Sequence, residues 1–178
     1  IFNGKIEVRR SVGKLTNLDQ LLRESPVHGA IGMGHTRWAT HGRPSEANAH
    51  PHRAGKIVVI HNGIIENYLE LRRELAGKGR TFNSETDTEV ISHLIDEYVQ
   101  EGLTFTHATR EALQRLEGAF SIVAFCEDEP GKILTAKNAT PIVIGLGEGE
   151  NFVASDVPAL LDYTRKVAFL DDGEMAEI

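Results

Sequence analysis

The sequence predicts an α+β domain in which helices lie on mainly antiparallel sheets. Three observations predict it: helical periodicity concentrated in residues 64–116, a run of short strand patterns from residue 119 onward, and tight turns between those strands. The 178 residues, 40% hydrophobic and 25% charged, have ordinary globular composition, enough for one domain with a sizeable core and unlike disordered, collagen-like or coiled-coil chains. A net charge of −7 without a basic block argues against nucleic-acid or anionic-membrane partners. No apolar run approaches the roughly 20 residues of a membrane span. The opening Ile1-Phe2-Asn3-Gly4-Lys5 has neither a signal-peptide nor a transit-peptide pattern. The single cysteine, Cys126, cannot form an internal disulfide, which fits a reducing, cytoplasmic compartment.

Each element has its own justification. Lys5 to Ser11 alternates Ile6 and Val8 with charged residues and is expected to be a half-exposed strand. Leu15, Leu18 and Leu22 at helical spacing predict a helix that Ser25-Pro26 ends. Residues 30–55 are rich in Gly, His, Pro, Thr and Asn, the composition of a loop, and loops this long tend to be functional. Lys56 to Ile60 reads as a strand that stops at His61-Asn62-Gly63. Ile64, Tyr68, Leu71 and Leu75 then form one face of a helix that Gly77 and Gly79 terminate. Thr86, with Glu89 three residues on, has the pattern of a capping box opening a helix with Val90, Ile91, Leu94, Ile95 and Tyr98 on its apolar face. A third helix is expected from Thr106 to Leu116, stopped by Gly118. Strands are expected over 119–125, 132–136, 141–145, 151–154, 166–170 and 174–178. Turns at Glu129-Pro130-Gly131 and Asp171-Asp172-Gly173 favour antiparallel pairing of neighbours, and a short helix over 156–161 has Ser155 as its expected cap.

Three stretches are dense in chemistry-bearing residues. Gly34-His35-Thr36-Arg37-Trp38-Ala39-Thr40-His41-Gly42 gathers an Arg, two hydroxyls and two imidazoles around the only Trp. An Arg fork suits a bidentate grip on a carboxylate, to which Thr and His can add hydrogen bonds. His61-Asn62-Gly63 could present an amide NH₂ and a glycine N–H to one point, as an oxyanion hole requires, although an Asn-Gly turn is the commoner use of that pair. In Ser84-Glu85-Thr86-Asp87-Thr88-Glu89, capping accounts for Thr86 and Glu89. It leaves Asp87 to bind an ammonium group or to favour the helix dipole. His50-Pro51-His52 has spacing that zinc could use, but no Cys and no second helical His pair accompanies it. Gly145-Leu146-Gly147-Glu148-Gly149 opens no helix and reads as a hairpin turn, not a dinucleotide loop. Cys126 shares a strand face with Ile122 and Ala124 and reads as a buried, inert thiol.

Taken together, His35 to Gly42, Asn48-Ala49-His50-Pro51-His52, His61-Asn62-Gly63-Ile64-Ile65-Glu66-Asn67 and Ser84 to Glu89, with Gly149 to Asp156 near the end, resemble a known family. It is the glutaminase (class II glutamine amidotransferase) domain of the glutamine–fructose-6-phosphate aminotransferase (isomerising) family, and the resemblance runs over essentially the whole chain. The Arg37-Trp38 pair and Asn62 to Asn67 look more like this family than like the amidophosphoribosyltransferases, which share its fold and mechanism. The resemblance implies a four-layer αββα sandwich of the N-terminal-nucleophile hydrolase type, here lacking its N-terminal strand and helix. It implies hydrolysis of the glutamine side-chain amide, and transfer of the ammonia to a sugar-isomerase domain that makes glucosamine 6-phosphate. No cofactor and no metal are implied, and the full-length protein is expected to be a homodimer.

Residue by residue, the resemblance implies that Arg37 clamps the glutamine α-carboxylate, with Thr40 and His41 lining the pocket. Asp87 would hold the α-ammonium group, Asn62 and Gly63 would form the oxyanion hole, and Trp38 would gate ammonia transfer. The family's nucleophile is a cysteine at the mature N-terminus, with its own α-amino group as general base. Ile1 stands first here and Cys126 matches no catalytic position. The expectation is therefore a glutaminase domain over residues 1–178, truncated at its N-terminus and without the isomerase domain, able to bind glutamine but inactive alone. A non-catalytic glutamine-binding module and the glutaminase domain of an amidophosphoribosyltransferase are the alternatives, with a zinc hydrolase as the third.

Overall fold

The computed structural model describes residues 5–37 and 42–178. Its scaffold is a sheet of five antiparallel strands in the order β1-β2-β3-β4-β8, formed by β1 (His52–Ala54), β2 (Ile57–Ile65), β3 (Gly118–Cys126), β4 (Leu134–Asn138) and β8 (Met175–Glu177). A second, three-stranded antiparallel sheet has the order β6-β5-β7, from β5 (Val143–Leu146), β6 (Asn151–Ala154) and β7 (Val167–Phe169). Helices α2 (Tyr68–Gly77), α3 (Glu89–Gln100) and α4 (Phe105–Gln114) lie between β2 and β3 in the chain, and α1 (Leu15–Glu24) precedes the sheets. This is an α+β sandwich.

Strand alternation explains the layering. Ile57 and Val59 on β2 and Ile122, Ala124 and Cys126 on β3 turn to one face, where they pack with Leu71, Leu75, Val90, Ile91, Leu94, Ile95, Phe105 and Ala108 of the helices. Burying each large aliphatic side chain there contributes about 1.5–3 kcal/mol. The helix α3 carries the largest share of this, because apolar residues at 90, 91, 94 and 95 form a stripe wide enough to be wholly enclosed. The other face carries Val123 and Phe125, which pack with Ile142 and, less deeply, Ile60, Met33 and Val153. Ile60 and Val123 thus mark the side of the main sheet that faces the second sheet.

Several expectations need correction. Residues 6–11 form no strand. Ile6 is held instead by its N–H donating to the Glu127 carboxylate at 3.1 Å. The long loop contains a strand that composition hid: β1 pairs with β2 in a tight hairpin, with Ala54 opposite Ile57. The strand expected to stop at Ile60 continues to Ile65, so Asn62 and Gly63 lie inside the ladder opposite Ser121 and Phe120. Two Gly residues make that possible. Gly63 has φ +119, and a Cβ there would come within 2.0 Å of the Ala119 carbonyl oxygen. Gly118, opposite Ile65, has φ +116.

The helix-opening chemistry also differs from the capping box. The Thr86 hydroxyl bonds to Ser84 and to His52, and the N-cap of α3 is Thr88, without a side-chain cap bond. Glu89 reaches back to the N–H groups of Asn83 and Ser84, both at 2.8 Å, and also accepts from the Ser84 hydroxyl. The short helix near the end is a single 3₁₀ turn, Val157–Leu160, capped by Asp156 rather than Ser155. Glu129-Pro130-Gly131 joins the paired strands β3 and β4 as expected, but Asp171-Asp172-Gly173 carries the chain from one sheet to the other.

Candidate active site

Asn62 sits on β2 on the side facing the second sheet, where a cavity of about 290 Å³ opens. Gly34, His35, Thr36, Ile60, His61 and Asn62 line one side of it. Ser121 to Val123 of β3, Ile142, and Val153 to Ser155 at the end of β6 line the rest. Its size suits an amino-acid-sized ligand. A larger cleft of about 910 Å³ shares Gly34, His35 and Thr36 with it, and Arg37, Arg10 and the apolar side of α1 border that cleft.

The segment before Arg37 meets the sheet through His35, whose Nε2 lies 2.9 Å from Asn62 Oδ1. The His35 ring stacks on His50 with centroids 4.0 Å apart and planes at 30°, and His50 meets His52 edge-on at 5.1 Å. Hydroxyls close the cluster. Thr88 Oγ1 lies 3.2 Å from His50 Nε2 and 3.0 Å from His61 Nδ1, and Thr86 Oγ1 lies 3.1 Å from His52 Nε2. The imidazoles of His35, His50, His52 and His61 are thus gathered where the chain enters α3.

Burial favours the neutral form of His35, His50 and His52. It pushes His50 down to about 2, helped by the neighbouring His35, His52 and His61 and by the charge of Arg37. Burial also pushes His52 down to about 4, against the attraction of Glu89. His35 is lowered by burial too, partly offset by its bond to Asn62. Among the described residues no group of three or more His, Cys, Asp or Glu side chains could hold a metal ion. The His50-Pro51-His52 pair bonds threonine hydroxyls instead.

Asp87 is buried beside this cluster, and its Oδ2 accepts the Ile65 N–H at 2.9 Å, tying the start of α3 to the end of β2. Arg37 directs Nη2 to the Gly42 carbonyl at 3.1 Å and Nη1 to the Arg43 carbonyl at 3.3 Å. Asn48 stitches the same loop to the α3 entry. Its Nδ2 donates to the Arg43 carbonyl and to Glu85 Oε2, both at 2.9 Å, and its Oδ1 accepts the Glu85 N–H at 2.8 Å. The structure therefore places Asn62 at the small cavity's wall with Gly63 next to it in the strand, and Arg37 on the adjoining cleft, whereas Asp87 is buried at the Ile65 N–H and lines neither. Trp38, Thr40 and His41 lie outside the described residues. Thr88 and Asn48 lie within the motifs named above, where the sequence assigns them no role. Their role is to join loop to helix, which only long-range contacts reveal.

Cys126 is 1% exposed, on the helix-facing side of β3, and burial pushes its thiol up. It has no part in the cavity.

The profile of the glutamine amidotransferase domain matches residues 35–162, which include Arg37, Asn62, Gly63 and Asp87. The chain belongs to the glutamine amidotransferase family. This amidotransferase domain is 48% identical over 176 residues to the glutamine–fructose-6-phosphate aminotransferase (isomerizing) of Gluconobacter oxydans, covering 99% of the chain and 29% of that relative. It is 53% identical over 173 residues to the enzyme of the same name from Thermus thermophilus, covering 96% of the chain and 28% of that relative. The chain thus spans less than a third of the length of these curated relatives. Among solved structures it resembles a B. subtilis glutamine phosphoribosylpyrophosphate amidotransferase complexed with ADP and GMP. The TM-score is 0.67 at 27% identity, over 81% of this chain and 32% of that one. These likenesses establish the α+β sandwich of the N-terminal-nucleophile type.

Proposed function

We propose that residues 1–178 are the glutaminase domain of a longer glutamine–fructose-6-phosphate aminotransferase. In this reading it frees ammonia from the side-chain amide of L-glutamine for a sugar-isomerase domain that converts fructose 6-phosphate to glucosamine 6-phosphate. The observation that carries the reading is Asn62 on the wall of an amino-acid-sized cavity, next to Gly63, within a chain 48% identical to an aminotransferase of that name. The higher identity to this class than the 27% to the phosphoribosylpyrophosphate enzyme favours the aminotransferase over its purine-pathway counterpart.

The chemistry follows from the groups present. Glutamine needs a cation for its α-carboxylate and an anion for its α-ammonium group, and Arg37 and Asp87 supply these charges. A thiolate attacks the amide carbonyl, and the oxygen gains negative charge as the carbonyl π bond opens. Donors from Asn62 Nδ2 and the Gly63 N–H stabilise that oxyanion. The nucleophile in this reading is an N-terminal cysteine outside these 178 residues, since Cys126 is enclosed in the core. Trp38, Thr40 and His41 keep their family roles as gate and pocket lining. We further propose a cytoplasmic homodimer without metal or cofactor.

The test is ammonia release from L-glutamine by the full-length protein and its Arg37→Ala and Asp87→Ala variants. Removing a charged hydrogen-bonding partner costs about 1.5–3 kcal/mol, so kcat/KM for glutamine falls about tenfold to a hundredfold in each. Wild-type kcat/KM in both variants refutes the assignment.

A further inference from the structure

We propose that His35 is a positioning residue that decides which end of the Asn62 carboxamide faces the cavity. The proposal rests on the reading of Asn62 as an oxyanion donor. A primary amide has two ends of nearly the same shape and opposite polarity. Only its NH₂ end stabilises an oxyanion, and its oxygen would repel one. The backbone of β2 fixes where the Asn62 side chain lies but not which way the amide is turned. His35 Nε2, 2.9 Å from Asn62 Oδ1, supplies the missing constraint: as a donor it holds the oxygen and leaves Nδ2 for the cavity.

The imidazole is itself held. Its face stacks on His50 at 4.0 Å, and His50 Nε2 lies 3.2 Å from Thr88 Oγ1. The same hydroxyl lies 3.0 Å from Nδ1 of His61, the residue before Asn62 on the strand. One threonine at the head of α3 therefore holds both the ring on which His35 stacks and the residue before Asn62 on the strand. A neutral imidazole has one N–H, so the arrangement requires the Nε2–H tautomer. In the other tautomer Nε2 accepts, the amide turns over, and Oδ1 faces the oxyanion position. His35 on this account acts on the transition state and leaves ground-state glutamine binding nearly unchanged.

The experiment measures kcat and KM for L-glutamine in the full-length protein for His35→Phe, His35→Gln, His35→Glu, Asn62→Ala and the Phe–Ala double variant. Phe keeps a ring against His50 but has no donor. Its kcat falls at least about tenfold while KM stays within about twofold. Gln restores a donor and most of kcat. Glu, nearly the same shape but an acceptor, lowers kcat at least about tenfold relative to Gln, and this pair carries the test if the Phe variant does not fold. Adding His35→Phe to Asn62→Ala produces no further loss, because the amide it orients is gone. Equal kcat in the Gln and Glu variants, or a full multiplicative loss in the double variant, overturns the proposal. Wild-type kcat in Asn62→Ala instead overturns the oxyanion reading beneath it.

Discussion

Replacing Gly63 by alanine tests the point where fold and site coincide. An alanine Cβ would lie 2.0 Å from the Ala119 carbonyl oxygen and 2.9 Å from the Phe120 Cα, both backbone atoms of the paired strand. Neither can swing aside as a side chain can, so β2 and β3 must part. The residue also holds φ +119, which costs an L-residue about 1–2 kcal/mol. Relieving the overlap adds about 1–3 kcal/mol, as for overpacked cores, so the total loss is about 2–5 kcal/mol. Gly79→Ala is the matched control. It has φ +87, but nothing lies within 4 Å of its added methyl, so only the backbone cost of about 1–2 kcal/mol remains. Urea unfolding of both variants reads the difference as a shift in midpoint at constant slope. If Gly63→Ala is no less stable than Gly79→Ala, the packing of Gly63 against β3 is wrong.

The buried histidines make a second prediction. His50 and His52 are held at about 2 and about 4 in the folded protein and titrate near 6.5 when unfolded. The unfolded chain therefore takes up more protons below pH 6.5, and stability, level above pH 7, falls as the medium is acidified. The loss is about 4 kcal/mol by pH 5 if both rings contribute fully, and a pH series of unfolding midpoints that is flat from 7 to 5 contradicts it. Cys126→Ala leaves glutaminase kcat unchanged and lowers stability by about 1–2 kcal/mol, since it removes a buried sulfur remote from the cavity. A loss of kcat at unchanged stability would contradict the reading of that thiol as inert.

Helices and late strands were legible because their signals are local. Val90, Ile91, Leu94 and Ile95 announce one buried helix face, and Ile122, Ala124 and Cys126 one strand face. The hairpin partner β1 was not legible, because three residues, His-Arg-Ala, carry no periodic pattern and are a strand only through pairing with Ile57 to Val59. The extension of β2 through Asn62-Gly63 was hidden by a dipeptide that elsewhere makes turns. Here the partner strand's Gly118 lets the ladder continue at positive φ. Thr86 and Glu89 matched a capping box, yet Thr86 serves His52 and Glu89 serves the loop before the helix. The candidate residues were nameable by type and motif, but the bond from His35 to Asn62, 27 positions apart, exists only in the folded chain.

The central claim is tested most directly by a crystal structure of the full-length protein with L-glutamate, the hydrolysis product, bound. The account predicts the α-carboxylate against Arg37, the α-ammonium against Asp87, and a side-chain carboxylate oxygen within hydrogen-bond reach of Asn62 Nδ2 and the Gly63 N–H. Glutamate bound elsewhere, or an Asn62 carboxamide directing its oxygen at the ligand carboxylate, contradicts it.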